Sequence, residues 1–98
     1  SIATAKAGVE ALARSFAAEF APTLRVNAIA PSLTKTPLAS AILTNAEKVE
    51  SLGKKHPLQK LGAPEDISHM ICYLLSDQAS WITGQVFHID GGLSSLSI

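Results

Sequence analysis

Apolar and polar positions follow two different rhythms along the chain. From Ile2 to Phe20 the apolar spacing is helical: Val9, Leu12, Ala13 and Phe16 recur at i, i+3, i+4 and i+7 and share one face. Glu10 and Arg14 sit four apart on another face, where they can pair weakly. Pro22 and Thr23 end this helix, because proline cannot continue the hydrogen-bond ladder. Residues 24–30 (LRVNAIA) then read as a short buried strand that Pro31 stops. Residues 31–37 (PSLTKTP) are polar and turn-rich, hence a loop. Residues 38–44 read as a short helix, and residues 46–55 as another with Val49 and Leu52 on its apolar side. Residues 56–63, with Pro57 and Gly62, form a connection. Pro64 opens a further helix, since proline suits the first helical position and Glu65 and Asp66 complement the positive end of the dipole. Ile67, Met70, Ile71, Leu74 and Leu75 make its apolar stripe. Residues 76–80 are a turn region, and residues 85–89 (QVFHI) read as a second strand closed by Asp90, Gly91 and Gly92.

The connection between the two strands carries helices, which predicts a parallel pair with a right-handed crossover. Parallel sheets are normally wide and covered on both faces. Two strands make a poor independent sheet, and the first helix has no strand before it to cover. The expectation is an α/β fold, with this chain as the C-terminal part of a larger domain cut at its N-terminus.

Composition narrows the function. The 98 residues carry 8 Lys plus Arg against 8 Asp plus Glu, and 47% of positions are hydrophobic. That suffices for one small domain and argues against disorder. Zero net charge argues against nucleic-acid binding, which needs a basic face. A single cysteine, Cys72, rules out an internal disulfide framework and points to a reducing, cytoplasmic setting. No apolar run approaches the ~20 residues needed to span a membrane, and no signal peptide is visible. His69 and Cys72 lie three apart on a helix, with His56 and His88 elsewhere; no metal is expected, because a site needs three or four converging ligands. The many serines include no G-x-S-x-G elbow, so a Ser/His/Asp hydrolase is not expected either.

Several segments, in order, carry a more specific signal. They are Ala3 to Val9 (ATAKAGV), Arg25 to Ser32 (RVNAIAPS), Thr36-Pro37-Leu38, Pro64-Glu65-Asp66-Ile67, Leu74 to Asp77 with Ile82 to Gln85, and Ile89-Asp90-Gly91-Gly92. Together they resemble the C-terminal portion of the short-chain dehydrogenase/reductase family over nearly the whole chain. The first resembles the segment around that family's Tyr-x-x-x-Lys motif, and the second the strand that ends in Pro-Gly. Three departures stand out. Ile2 occupies the position of the catalytic tyrosine, Ser32 replaces the glycine of Pro-Gly, and the family's glycine-rich loop, catalytic serine and Asn motif are absent from the sequence.

The resemblance implies a Rossmann-like, doubly wound parallel domain. It implies an oxidoreductase that moves hydride between NAD or NADP and a small-molecule carbonyl or alcohol substrate. Lys6 would hold the nicotinamide ribose and lower the pKa of a neighbouring phenol, as a nearby cation does. Pro31, Leu33, Thr34 and Thr36 would contact the cofactor, in a loop leaving the C-terminal end of a parallel strand. Leu38, Ile42, Leu43, Val49 and Leu52 fall in the family's variable substrate lid. A homodimer or homotetramer is implied, and the fragment alone is expected to be inactive because the pyrophosphate turn is not in it. The alternative is a catalytically impaired member acting as a binding or scaffold subunit, for which Ile2 is the motive. Asn27 and Asp90 are expected to be structural, satisfying backbone groups.

Overall fold

A computed structural model describes residues 2–35 and 44–96 of the protein. The expectations for Thr36, for Pro37 and for nearly all of the helix at 38–44 lie outside the described residues. The elements run α1 (Ile2–Phe20), β1 (Ala28–Pro31), α2 (Ala46–Gly53), α3 (Pro64–Leu75), a 3-10 turn (Asp77–Ala79) and β2 (Val86–Ile89). β1 and β2 pair in a two-stranded sheet. Ala28 N–H donates to Gln85 O at 2.9 Å and Ser32 N–H to Ile89 O at 3.3 Å, so both strands advance together and the pair is parallel. The expected α/β order with a helical crossover is therefore what forms.

The chain divides into two compact units, residues 1–29 with 72–87, and residues 30–71 with 88–98. In the first unit, α1 forms as its apolar spacing predicts, and within this chain its most buried residue is Ala17. Val9 and Leu12 are more than half exposed, whereas Ala17 is 5% exposed. A Cβ added to Gly84, which holds a φ of +71°, would lie 3.7 Å from the Ala17 Cβ. Small side chains on both partners allow that approach. Phe16 and Phe20 pack ring to ring at 6.0 Å along α1. Leu74 and Ala79 complete the buried set of this unit, while Trp81 is 98% exposed. Glu10 and Arg14 do not meet the distance of an ion pair; Lys54 and Glu50 do, at 3.2 Å.

The first strand starts at Ala28, four residues later than the apolar run suggests. Side chains explain the delay. Val26 N–H donates to Thr83 Oγ1 at 3.0 Å, and Asn27 Nδ2 donates to Ile82 O at 3.1 Å. The Arg25 guanidinium reaches Ile82 O and Ser76 O. Gln85 N–H donates to Asn27 Oδ1 at 3.1 Å, so β2 also starts one residue late, at Val86. Asn27 is thus structural, as expected for a polar residue inside an apolar run. The turn region after α3 tightens into a short 3-10 element, with Ala79 N–H bonded to Ser76 O at 3.1 Å.

In the second unit, Asn45 caps α2 by accepting from Lys48 N–H at 2.7 Å. The helix ends at Gly53, two residues before the expected Lys55; residue 53 is buried, and a Cβ there would meet Lys60 Cα at 3.2 Å. Pro64 opens α3 as its sequence predicts. Asp66 is N3 of a reciprocal cap: its Oδ2 accepts from Ala63 N–H at 2.8 Å and its own N–H donates to Ala63 O at 3.0 Å. The apolar stripe of α3 is narrower than its spacing implies, since Ile71 is 42% and Leu75 78% exposed.

Candidate functional site

The loop after β1 is held by a second parallel contact, an isolated bridge between Thr34 and Gly62. Gly62 N–H donates to Leu33 O at 3.3 Å and Lys35 N–H donates to Gly62 O at 2.9 Å. In this register the N–H of Thr34 faces away from Gly62. The N–H groups of Leu33 and Thr34 find no partner among the described residues. The closeness depends on Gly62, where a Cβ would come to 2.9 Å from Thr34 Cγ2. Gly62→Ala is expected to displace the Thr34 side chain and to cost about 1–3 kcal/mol as an overpacking change. Comparing thermal melts and cofactor titrations of the full-length variant and wild type would check both effects.

Leu33, Thr34 and Gly62 line a cavity of about 110 Å3 in the second unit. Leu33, Leu61, Ile67 and Ile89 give it apolar walls, and Ser32, Thr34, His56, Asp66 and Asp90 are polar residues among its lining. The described candidates fall as follows. Leu33 and Thr34 come together here, Pro31 is exposed at the end of β1, and Lys6 is exposed on α1 in the first unit. Thr36 lies outside the described residues. The donor set fits a nicotinamide carboxamide, which needs N–H donors for its oxygen and an acceptor such as a threonine hydroxyl for its amide. Apolar walls suit a flat ring.

Sequence reading weighs His56 only as a metal ligand and assigns it no other role. It is buried, at 5% exposure. Its Nδ1 lies 3.0 Å from Leu52 O and its Nε2 lies 2.9 Å from Ser32 Oγ. Leu52 O can only accept, so Nδ1 carries the ring proton in the neutral imidazole. Nε2 is then bare, and the Ser32 hydroxyl donates to it. Only the Pro57 that follows His56 hinted at a fixed conformation here.

Asp90 closes the end of β2 as a structural acceptor. Gly92 N–H donates to its Oδ1 at 3.0 Å and Ser94 N–H to its Oδ2 at 3.1 Å. The Ser94 side chain holds its carboxyl below the ordinary aspartate value; the backbone bonds from Gly92 and Ser94 and the nearby His88 add to this, and partial burial opposes it. A carboxyl whose folded pKa is depressed stabilises fully above its unfolded value and loses that contribution as pH falls through the folded one. Acid titration of stability is expected to show a loss below pH ~4 that Asp90→Asn reduces, measured by denaturant melts across pH.

Among the described residues no helix is long and apolar enough to cross a membrane, and no group of three His, Cys, Asp or Glu side chains could hold a metal ion.

Comparison with known proteins agrees with this architecture. A family profile described as enoyl-(acyl carrier protein) reductase matches residues 1–94. An uncharacterized oxidoreductase of Mycobacterium tuberculosis is 46% identical over 89 residues, covering 90% of this chain and 36% of its own length. The 3-oxoacyl-[acyl-carrier-protein] reductase of Thermotoga maritima is 40% identical over 92 residues, covering 93% of this chain and 37% of its own. The structure of a 4-hydroxyisoleucine dehydrogenase complexed with NADH superposes with a TM-score of 0.87 at 35% identity, over 96% of this chain and 39% of that one. The chain spans little more than one third of the length of the curated relatives it matches. A matched profile over nearly every residue, substantial identity to oxidoreductases and the shared α/β geometry lead to one assignment: the chain belongs to the short-chain dehydrogenase/reductase family.

Proposed function

We propose that the intact protein is a nicotinamide-dependent oxidoreductase that interconverts a small carbonyl compound and its alcohol. In this reading the chain is the C-terminal portion of a single NAD(P)-binding domain. The observation that carries it is the loop after β1, where Leu33 and Thr34, whose N–H groups have no partner among the described residues, line a cavity with apolar walls. Lys6, Pro31, Leu33, Thr34 and Thr36 would hold the cofactor, Lys6 at the ribose and the loop at the carboxamide. The nicotinamide supplies the hydride chemistry when bound, while the protein orients it and fixes the substrate. Similarity to a reductase and to a dehydrogenase solved with NADH supports the reading.

The proposal extends to a cytoplasmic homodimer or homotetramer. A lone cysteine suits a reducing compartment, and the exposed apolar side chains Val9, Leu12, Leu93 and Leu96 suit self-association. The direct test is calorimetry on the full-length protein with NAD and with NADP. Binding of one, weakened by Thr34→Ala, is expected; binding of neither overturns the reading. One observation favours a second reading, a binding or scaffold subunit: Ile2 stands where the family's tyrosine exchanges a proton.

A further inference from the structure

The Ser32–His56 pair has the geometry of an activated hydroxyl, and the dehydrogenase reading gives it no task. Ser32 Oγ lies 2.9 Å from His56 Nε2, within the range of a nucleophile and its base. A third group orients the base: Leu52 O, 3.0 Å from Nδ1, fixes the tautomer that leaves Nε2 free to take a proton. His56 is buried, whereas Ser32 is half-buried and shares the wall of the 110 Å3 cavity with it. The next N–H along the chain, that of Leu33, has no partner among the described residues. In serine hydrolases the N–H after the nucleophile is a donor to the oxyanion. These two side chains are 24 residues apart in sequence, on the β1 exit and the α2 exit, which is why no local motif announced them.

We propose that Ser32 and His56 form a nucleophile–base pair, a cofactor-independent site for small, uncharged acyl esters. Ser32 Oγ attacks the ester carbonyl carbon as its proton passes to His56 Nε2, and the carbonyl oxygen becomes an oxyanion facing the Leu33 N–H. The C–O bond to the alcohol breaks, and the departing alkoxide takes the proton from Nε2. Water then attacks the acyl-serine, giving its proton to Nε2. The proton returns to Ser32 Oγ as the carboxylic acid leaves. The cavity walls from Leu61, Ile67 and Ile89 fit a short acyl chain. A backbone carbonyl orients the imidazole without stabilising its charged form as a carboxylate would, so slow turnover is expected.

The test treats the full-length protein, without nicotinamide, with a fluorophosphonate and with p-nitrophenyl acetate. Intact mass and peptide mapping are expected to show one adduct per chain, on Ser32 and on no other serine. Ser32→Ala abolishes it. His56→Ala slows labelling by about 10²–10⁴-fold, the usual contribution of a positioned base, and added imidazole restores part of the rate. Heat-denatured wild type is the control and does not react. Absence of a Ser32 adduct in folded wild type overturns the proposal, as does labelling that His56→Ala leaves unchanged in rate. If the His56 variant does not fold, selectivity for Ser32 over the other serines in wild type decides alone. The ester site shares the Leu33 N–H and the cavity with the proposed carboxamide position, so the assay omits nicotinamide; a failure to label Ser32 leaves the oxidoreductase reading to its own calorimetric test.

Discussion

Ile2→Tyr in the full-length protein is expected to raise carbonyl reduction by about 10²–10⁴-fold, the gain that a positioned acid or base provides. In the family that the chain belongs to, a tyrosine four residues before the lysine exchanges a proton with the substrate oxygen as hydride moves. Position 2 stands four residues before Lys6 and carries a sec-butyl group with no proton to exchange. α1 includes both positions, so the helical spacing that places a phenol relative to the lysine is already built. Lys6 cannot easily take over the proton transfer, since its proposed task binds it to the ribose. The measurement is initial rate across a panel of carbonyl substrates with either cofactor, for wild type and variant side by side. Robust wild-type turnover with no gain from the tyrosine would falsify the idea and point to another acid. A silent wild type that the tyrosine awakens would favour the scaffold reading for the natural protein.

Leu61→Ala is expected to destabilise the protein by about 2–5 kcal/mol, as large-to-small changes at buried leucines do. Leu61 is 5% exposed and stands in the wall of the cavity beside Gly62, whose backbone carries the bridge to Thr34. Truncation removes apolar contacts and enlarges a space that already exists, so neighbouring side chains have little reason to collapse into it. With a total stability of about 5–15 kcal/mol for an ordinary domain, the loss is a large fraction. Chemical denaturation of the full-length variant, read as a midpoint shift at constant slope, measures it. A change below about 0.5 kcal/mol, the size of a surface substitution, would show that Leu61 is not part of the core.

Helices were legible in the sequence wherever period and punctuation agreed. α1 ends and α3 begins where their signals place them, because Pro22 stops the ladder and Pro64 with Glu65 and Asp66 fits a helix start. The strands were legible in position but not in length. Apolar character alone extends the first back to Leu24, whereas Val26 and Asn27 bond to Thr83 and Ile82 through side chains. No periodicity encodes such a seam, because its partners lie more than fifty residues away. The close approach of Ala17 to Gly84 was not legible either, since the two meet only in the fold. At the candidate site the loop residues Leu33 and Thr34 were legible through family resemblance. His56 was not, since a buried histidine and a surface one look alike until the fold brings Ser32 to it.

Trp81, the single tryptophan of the chain, stands 98% exposed at the close of the 3-10 turn. Its bareness makes it an optical reporter that needs no labelling. An indole in this setting emits like indole in water and is open to collisional quenching by iodide. Whatever comes to rest on it, whether more of the same polypeptide or another copy, would shift the emission to the blue and shut iodide out. Residues 82–85 follow directly, and they hold the side-chain seam to Arg25, Val26 and Asn27. A melting curve followed at this one fluorophore therefore reads the uncovering of Trp81, while far-ultraviolet dichroism reads the helices. Comparing the two midpoints would show whether cover and core are lost in one step or in two.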